Sequence, residues 1–284
     1  MDKAASFDAN PALYIRVSLY YLYGDNGIEY MKLENKVAII TGASQSIGKG
    51  IALRFAKEGA KVVVNYLSNE KLAEAVVDEI RQQGGEAFAF RANVAEEDGA
   101  RQLVEATVAR YGTVDILVNN AAIDPRQKWN EISVADWDRV MTNNVRSQFV
   151  CCKAVYPYMQ KQRYGKIINV SSVTFWFGKT NYVHYVASKG AIIGFTRALA
   201  REIGGDNITV NCITPGAVKT ETELAKVGSV ESLEEAESQL KSLQAIPRRQ
   251  LIGDLDGAFV FLASSDSDFI TGQTLNVDGG WMMH

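Results

Sequence analysis

Seven short runs of β-branched and aliphatic residues, separated by stretches of helical periodicity, constrain this chain more than any other feature. The runs are VAIIT (37–41), KVVVNY (61–66), EAFAFRANV (86–94), VDILVNN (114–120), GKIINVSS (165–172), NITVNCI (207–213) and QTLNV (273–277). After the first, Ile47, Ile51, Ala52 and Phe55 fall on one helical face. After the second, Ser68 is the expected N-cap of a helix carrying Leu72, Val76 and Ile80, which Gly84-Gly85 ends. Leu103, Val104, Thr107, Val108 and Tyr111 mark a third helix, and longer helical stretches cover about 134–163 and 182–203. Strands that are apolar almost continuously are covered on both faces, and strand–helix alternation makes their pairing parallel. Right-handed crossovers then give a doubly wound α/β sheet of about seven strands with helices on both faces. Ligands of such a sheet bind at the carboxyl ends of the strands, where the strand order reverses. The polar stretch Lys219–Lys241 has no strand signal, and a helical lid over 219–245 beside the ligand is expected.

At 284 residues the chain suits one large domain of this kind. Residues 1–30 stand outside the alternation. Ala12–Tyr23 is apolar but too short to span a bilayer, is interrupted by Arg16 and lacks a small-residue cleavage site. Two readings stay open: a non-essential extension ahead of a functional chain 31–284, or an ordered arm packing on a subunit. A formal net charge of -3 argues against nucleic acid or an anionic membrane as the main partner. Cys151, Cys152 and Cys212 form no framework and no Cys-x-x-Cys pair, which points to reduced thiols and a cytoplasmic protein. His184 and His284 are the only histidines, and no His/Cys/Asp cluster has metal-ligand spacing, so no metal is expected.

The first strand runs directly into Thr41-Gly42-Ala43-Ser44-Gln45-Ser46-Ile47-Gly48 and a helix. Small residues let the backbone approach a pyrophosphate, and the helix N-terminus offers it free N–H groups and partial positive charge. In this context Gly42, Ser44, Gln45, Ser46, Ile47 and Gly48 are candidate contacts to a dinucleotide. The second strand ends in Asn65-Tyr66-Leu67-Ser68. A carboxylate there would hold the ribose diol of NAD and repel the phosphate of NADP, and none is present; no arginine is present to clamp the phosphate either. The reading leans to NADP(H) over NAD(H), with use of both open. Further on, Ser172 closes the fifth strand, and Tyr185 and Lys189 lie one helical turn apart on one face. Asn144 lies in the helical stretch after the fourth strand.

From about Leu33 to the C-terminus the chain resembles the short-chain dehydrogenase/reductase family. That family carries Thr-Gly-x-x-x-Gly-x-Gly in its glycine loop; here Ser46 replaces the middle glycine, and its Cβ restricts the backbone. Asn93-Val94 matches the family's adenine contact. Asn119-Asn120-Ala121-Ala122 matches the Asn-Asn-Ala-Gly after the fourth strand, with Ala122 for glycine. Pro215-Gly216-Ala217-Val218-Lys219-Thr220 matches the segment that holds the nicotinamide carboxamide. The resemblance implies a single Rossmann-type domain that binds cofactor also through Asn65, Tyr66, Asn93, Val94, Asn120, Ala121, Tyr185, Lys189, Pro215, Val218 and Thr220. It puts the catalytic roles on Asn144, Ser172, Tyr185 and Lys189. Tyr185 would exchange a proton with the substrate oxygen, Ser172 would hold that oxygen, and Asn144 would anchor a water that returns protons. A free phenol, with a pKa near 10, is a poor base at neutral pH. A cation about 4 Å away is worth roughly 4 kcal/mol at an effective dielectric near 20, enough to bring it toward neutrality, and Lys189 is expected to supply that charge.

The implied reaction is oxidation of a secondary alcohol, or reduction of its ketone, with NAD(P). Phe175, Trp176, Phe177, Tyr182, His184 and Trp129 either line an apolar substrate pocket or pack in the core or between subunits. The segments 243–248 and 269–280 resemble the branch of aromatic secondary-alcohol and pyridoxal dehydrogenases. Asn65-Tyr66 and Val183-His184-Tyr185 are similar to glucose dehydrogenases. Sugar and 3-oxoacyl substrates therefore stay open, and the resemblance implies a homotetramer. An epimerase or dehydratase of the same fold would need a longer C-terminal substrate domain. A non-catalytic, dinucleotide-sensing regulator can lose the Tyr/Lys pair, which is present here.

Overall fold

The computed structural model describes residues 31–221 and 230–283. The expectations for residues 1–30, and for the part of the lid over 222–229, lie outside the described residues. Strands β1 (Val37–Ile40), β2 (Lys61–Tyr66), β3 (Glu86–Arg91), β4 (Ile116–Asn119), β5 (Gly165–Val170), β6 (Ile208–Pro215) and β7 (Thr274–Val277) form one sheet in the order β3-β2-β1-β4-β5-β6-β7. Every pairing is parallel. This is the Rossmann-type doubly wound sheet that the alternation predicts.

The period of two along each strand decides the two layers. Ile39, Val63, Leu117, Ile167 and Val210 point to one face. Helices α3 (Glu97–Tyr111), α5 (Ser147–Gln162) and α6 (Val183–Ile203) cover them through Leu103, Val104, Val155, Met159 and Ala200. The alternate residues Ile40, Val62, Val64, Ile116, Val118 and Ile168 point to the other face. There they meet Ile51 and Phe55 of α1 (Ser46–Lys57), Val76 and Ile80 of α2 (Glu70–Gln82), and Phe259 of a helix at Asp256–Ala263. Each such buried side chain contributes about 1.5–3 kcal/mol relative to exposure. The chain leaves β1 toward β2 and β3 on one side, then returns to place β4 on the other side of β1. The loops after β1 and β4 therefore diverge and open a crevice between them.

Four local details differ from the sequence expectation. Asn69, not Ser68, caps α2, accepting the Leu72 N–H at 3.2 Å, because its side chain stands next to the first helical residue. The helical stretch 134–163 is α4 (Val134–Met141), a π-helical turn (Thr142–Arg146) and α5. Strand β3 stops at Arg91, since β2 offers it partners only through Tyr66. Strand β6 continues to Pro215, which pairs with Val277, because β7 runs alongside it that far. In the predicted lid, helix α7 spans Val230–Leu243 and is tied back by a Lys219–Glu237 ion pair at 3.1 Å.

Candidate active site

The glycine loop is shaped from below by two asparagines. Asn65, at the end of β2, accepts the Gly42 N–H at 3.3 Å and donates to the Phe90 and Ala92 carbonyls. Asn120, after β4, donates to the carbonyls of Thr41 and Gly42 at 2.9 and 3.1 Å. The Thr41 hydroxyl in turn accepts the N–H groups of Asn120 and Ala121. The side-chain amides of Asn65 and Asn120, read from sequence as cofactor contacts, are thus spent on holding the loop, although both residues line the cleft. Gly48 faces the loop so closely that a Cβ would lie 2.4 Å from the Gly42 carbonyl oxygen. Ser46 has φ of 53°, the left-handed conformation that costs a non-glycine residue about 1–2 kcal/mol, and its hydroxyl lies 3.4 Å from a Glu221 carboxylate oxygen.

A cleft of about 900 Å³ runs from this loop, past the ends of β2 and β3, to Ser172 and Tyr185. Gly42, Ser44, Gln45, Ser46, Ile47, Gly48, Tyr66, Asn93, Val94, Ala121, Val218 and Thr220 also line it. The bare glycine floor at Gly42 and Gly48, the helix N-terminus behind it and the length of the cleft fit a nicotinamide dinucleotide with a small substrate beyond it. Asn93 lines the cleft just past the end of β3, its side-chain oxygen accepting the Ala95 N–H. Asn144, Lys189 and Pro215 do not reach the cleft surface. Pro215 is the last residue of β6 and holds the loop after β5, its carbonyl accepting the Val173 N–H at 3.0 Å.

At the far end, the carboxyl terminus of β5 delivers Ser172 and the first turns of α6 deliver Tyr185 and Lys189. The Ser172 hydroxyl accepts the Thr174 N–H at 3.2 Å and lies 2.9 Å from the Thr174 hydroxyl. Lys189 is buried and donates to the Val170 carbonyl at 2.9 Å, with its ammonium 5.4 Å from the Tyr185 ring centre. Burial pushes Lys189 down to about 8. Burial also pushes the Tyr185 phenol up, against a hydrogen bond with Ser172 that pulls it down. This corrects the expectation of a phenol drawn toward neutrality by lysine. Both groups lose water, and that loss is the largest cause of each shift.

The Asn144 side chain is fully buried in the π-helical turn. Its oxygen accepts the Ile123 N–H at 2.8 Å, and its nitrogen donates to the Ile123 carbonyl and the Ser188 hydroxyl. Asn144 thus joins α6, through Ser188, to the loop after β4, through Ile123. The aromatic residues divide. Tyr182 lines the cleft, whereas Trp176 packs on the buried Ile192, Ile193 and Cys212. Phe175 rests on Trp176, His184 is fully buried, and Trp129 is exposed. Sequence reasoning missed Asp124, Arg126, Lys179 and Trp281 as cleft residues. They sit in loops without periodicity, and only their closeness in sequence to Asn120, Tyr185 or the C-terminus offered a signal.

Known proteins share this architecture. A family profile described as enoyl-(acyl carrier protein) reductase matches residues 42–282. The 3-oxoacyl-(acyl-carrier-protein) reductase of Staphylococcus epidermidis is 39% identical over 251 residues, covering 88% of this chain and 100% of that protein. Among solved structures, a 7α-hydroxysteroid dehydrogenase complexed with NADH and 7-oxo glycochenodeoxycholic acid is 37% identical, with a TM-score of 0.83 over 88% of this chain and 96% of that one. A chain described as a short-chain alcohol dehydrogenase of Sinorhizobium meliloti 1021 is 33% identical, with a TM-score of 0.82 over 89% of this chain and 98% of the other.

Proposed function

The chain belongs to the short-chain dehydrogenase/reductase family, oxidoreductases acting on CH–OH groups with NAD(P), and on that premise we propose that Tyr185 is the proton donor in reduction of a ketone to a secondary alcohol. The observation that carries this reading is Ser172 and Tyr185 side by side on the cleft wall, with the Lys189 ammonium 5.4 Å from the phenol ring. When bound, the nicotinamide dinucleotide supplies or accepts the hydride. The Ser172 hydroxyl holds the substrate oxygen beside the phenol. A phenol kept protonated by burial is suited to giving its proton to that oxygen as negative charge develops on it. Lys189 stabilises the phenolate left behind. Asn144 fixes the helix that carries both groups, through Ser188. In the reverse direction the same phenol oxygen takes the proton from the alcohol.

The direct test is Tyr185→Phe. Loss of about 10³-fold in kcat/KM with unchanged dinucleotide affinity is expected, and full-speed turnover would overturn the assignment. A non-catalytic sensor of dinucleotide is the competing reading; binding of both cofactors without turnover of any carbonyl or alcohol would favour it. The absence of a carboxylate among the residues lining the cleft at the end of β2 favours NADP(H) over NAD(H), and with no arginine lining that end use of both stays open. A large catalytic preference for NAD would reverse that. The substrate is a secondary alcohol or ketone, with 3-oxoacyl compounds, the substrate class named for the Staphylococcus relative, and sugars as alternatives.

A further inference from the structure

We infer that the substrate carries an anionic group, a carboxylate or a phosphate, received by Arg126 at the outer end of the cleft; this rests on the oxidoreductase reading above. Arg126 Nε donates to the Tyr182 hydroxyl at 2.6 Å. Tyr182 is buried, and its ring stands edge-on to that of Tyr185 with centres 5.4 Å apart. The guanidinium is therefore anchored one aromatic ring away from the proton donor. The Lys179 ammonium lies 5.1 Å from the same Tyr182 ring, and Arg126, Lys179 and Tyr182 all line the cleft.

Arg126 meets a phenol where several other arginines of this protein meet a carboxylate. Arg54, Arg146, Arg163 and Arg248 each meet a carboxylate within 3.0 Å. Among the described residues Arg126 makes no ion pair, and its one hydrogen bond goes to a neutral phenol. That bond uses Nε and leaves the two Nη groups as a planar fork. The cleft's other arginine, Arg139, faces Asp136 at 3.6 Å. Among the described residues lining the cleft the one carboxylate is Asp124, which acts electrostatically on Tyr185 and Lys189. The Arg126 guanidinium is thus held on the cleft wall by a buried tyrosine. A guanidinium fixed in this way loses little freedom on meeting a planar carboxylate or a phosphate, and charge-assisted pairs of this kind are the strong ones.

Three ketones of one skeleton test this: 3-benzoylpropionate, its methyl ester, and the phosphate ester of 3-hydroxypropiophenone. Each is assayed for reduction with NADPH and NADH, and for binding to the enzyme–NADP complex by calorimetry. At least one anionic probe should exceed the methyl ester about 10- to 100-fold in kcat/KM, and the two anionic arms tell carboxylate from phosphate. Arg126→Met should bring the anion-to-ester ratio of kcat/KM to about one, the loss falling on KM for the anion, and Arg126→Lys should restore part of that ratio. Equal efficiency for ester and anions, loss of all probes alike in Arg126→Met, or anions that neither bind nor react would overturn the inference. Arg126-dependent binding of an anion without reduction of any probe would instead sink the oxidoreductase reading and leave the anion site standing.

Discussion

Lys189 is charged in water at neutral pH, yet in this fold it is surrounded by protein and pushed down to about 8 from 10.5. The sign of the consequence is fixed by linkage. Below pH 8 the lysine is protonated in both folded and unfolded chains, and folding carries the full cost of burying the charge. Between about 8 and 10.5 the folded chain binds fewer protons than the unfolded one, so this contribution raises stability as pH rises. Lys189→Met removes the cost, so its stability relative to the parent should be greatest near pH 7 and decline toward pH 10, as followed by urea melts. Reductase activity of the parent should fall as pH rises through about 8, where the ammonium beside Tyr185 loses its proton, and Lys189→Met should lose at least about 10²-fold in kcat/KM. At the opposite end of the cleft, Leu67 is exposed just past the end of β2. Leu67→Arg should raise the NADP:NAD ratio of kcat/KM about tenfold, a single charge-assisted contact, and an unchanged ratio would put the phosphate elsewhere.

The glycine loop is the element in which local strain and close approach meet. Ser46 holds φ of 53° in a position suited to glycine, whereas Gly48 has no room for any side chain. The two predict opposite signs. Ser46→Gly relieves about 1–2 kcal/mol of left-handed strain and adds about 0.5–1 kcal/mol of chain entropy cost, for a net gain near 0.5–1 kcal/mol. That corresponds to a melting temperature higher by roughly 1–4 °C. Gly48→Ala drives a methyl into the Gly42 carbonyl and the Asn120 amide, costing about 1–3 kcal/mol and weakening dinucleotide binding, as titration would read. Helix α6 shows the same economy: one turn sets Tyr185 over Lys189, and Ser188 between them reaches Asn144, so the clamp from the π-helical turn aligns the helix without touching the cleft.

Across the whole molecule, several large apolar side chains remain in water. Phe149 of α5 is exposed and meets Phe195 of α6 edge-on, with centres 6.3 Å apart; Phe269 and Leu275, beside and within the edge strand β7, are exposed as well. A homotetramer, the assembly that the resemblance implies, would cover such residues. Sedimentation equilibrium should give four chains, and Phe149→Glu should shift the mass toward smaller species; a monomer in the parent would refute it. Removal of residues 1–30 should leave activity within about twofold, if the functional chain is 31–284. Among the described residues no helix is long and apolar enough to cross a membrane, and no group of His, Cys, Asp and Glu could hold a metal ion.

The sequence by itself determined the seven strands, the burial of the inner ones on both faces, the glycine loop and the spacing of Tyr185 to Lys189. These are periodic or adjacent features, written by backbone geometry into neighbouring residues. Only the tertiary structure decided that Asn65 and Asn120 brace the loop, that Asn144 clamps Ile123, and that Arg126 is pinned to Tyr182 across 56 positions. It alone decided the direction in which Tyr185 and Lys189 shift, because desolvation is a property of everything packed around a group and not of its neighbours in the chain. Loops carry no period, so the partners of their side chains exist only once the strands have set where the loops begin and end.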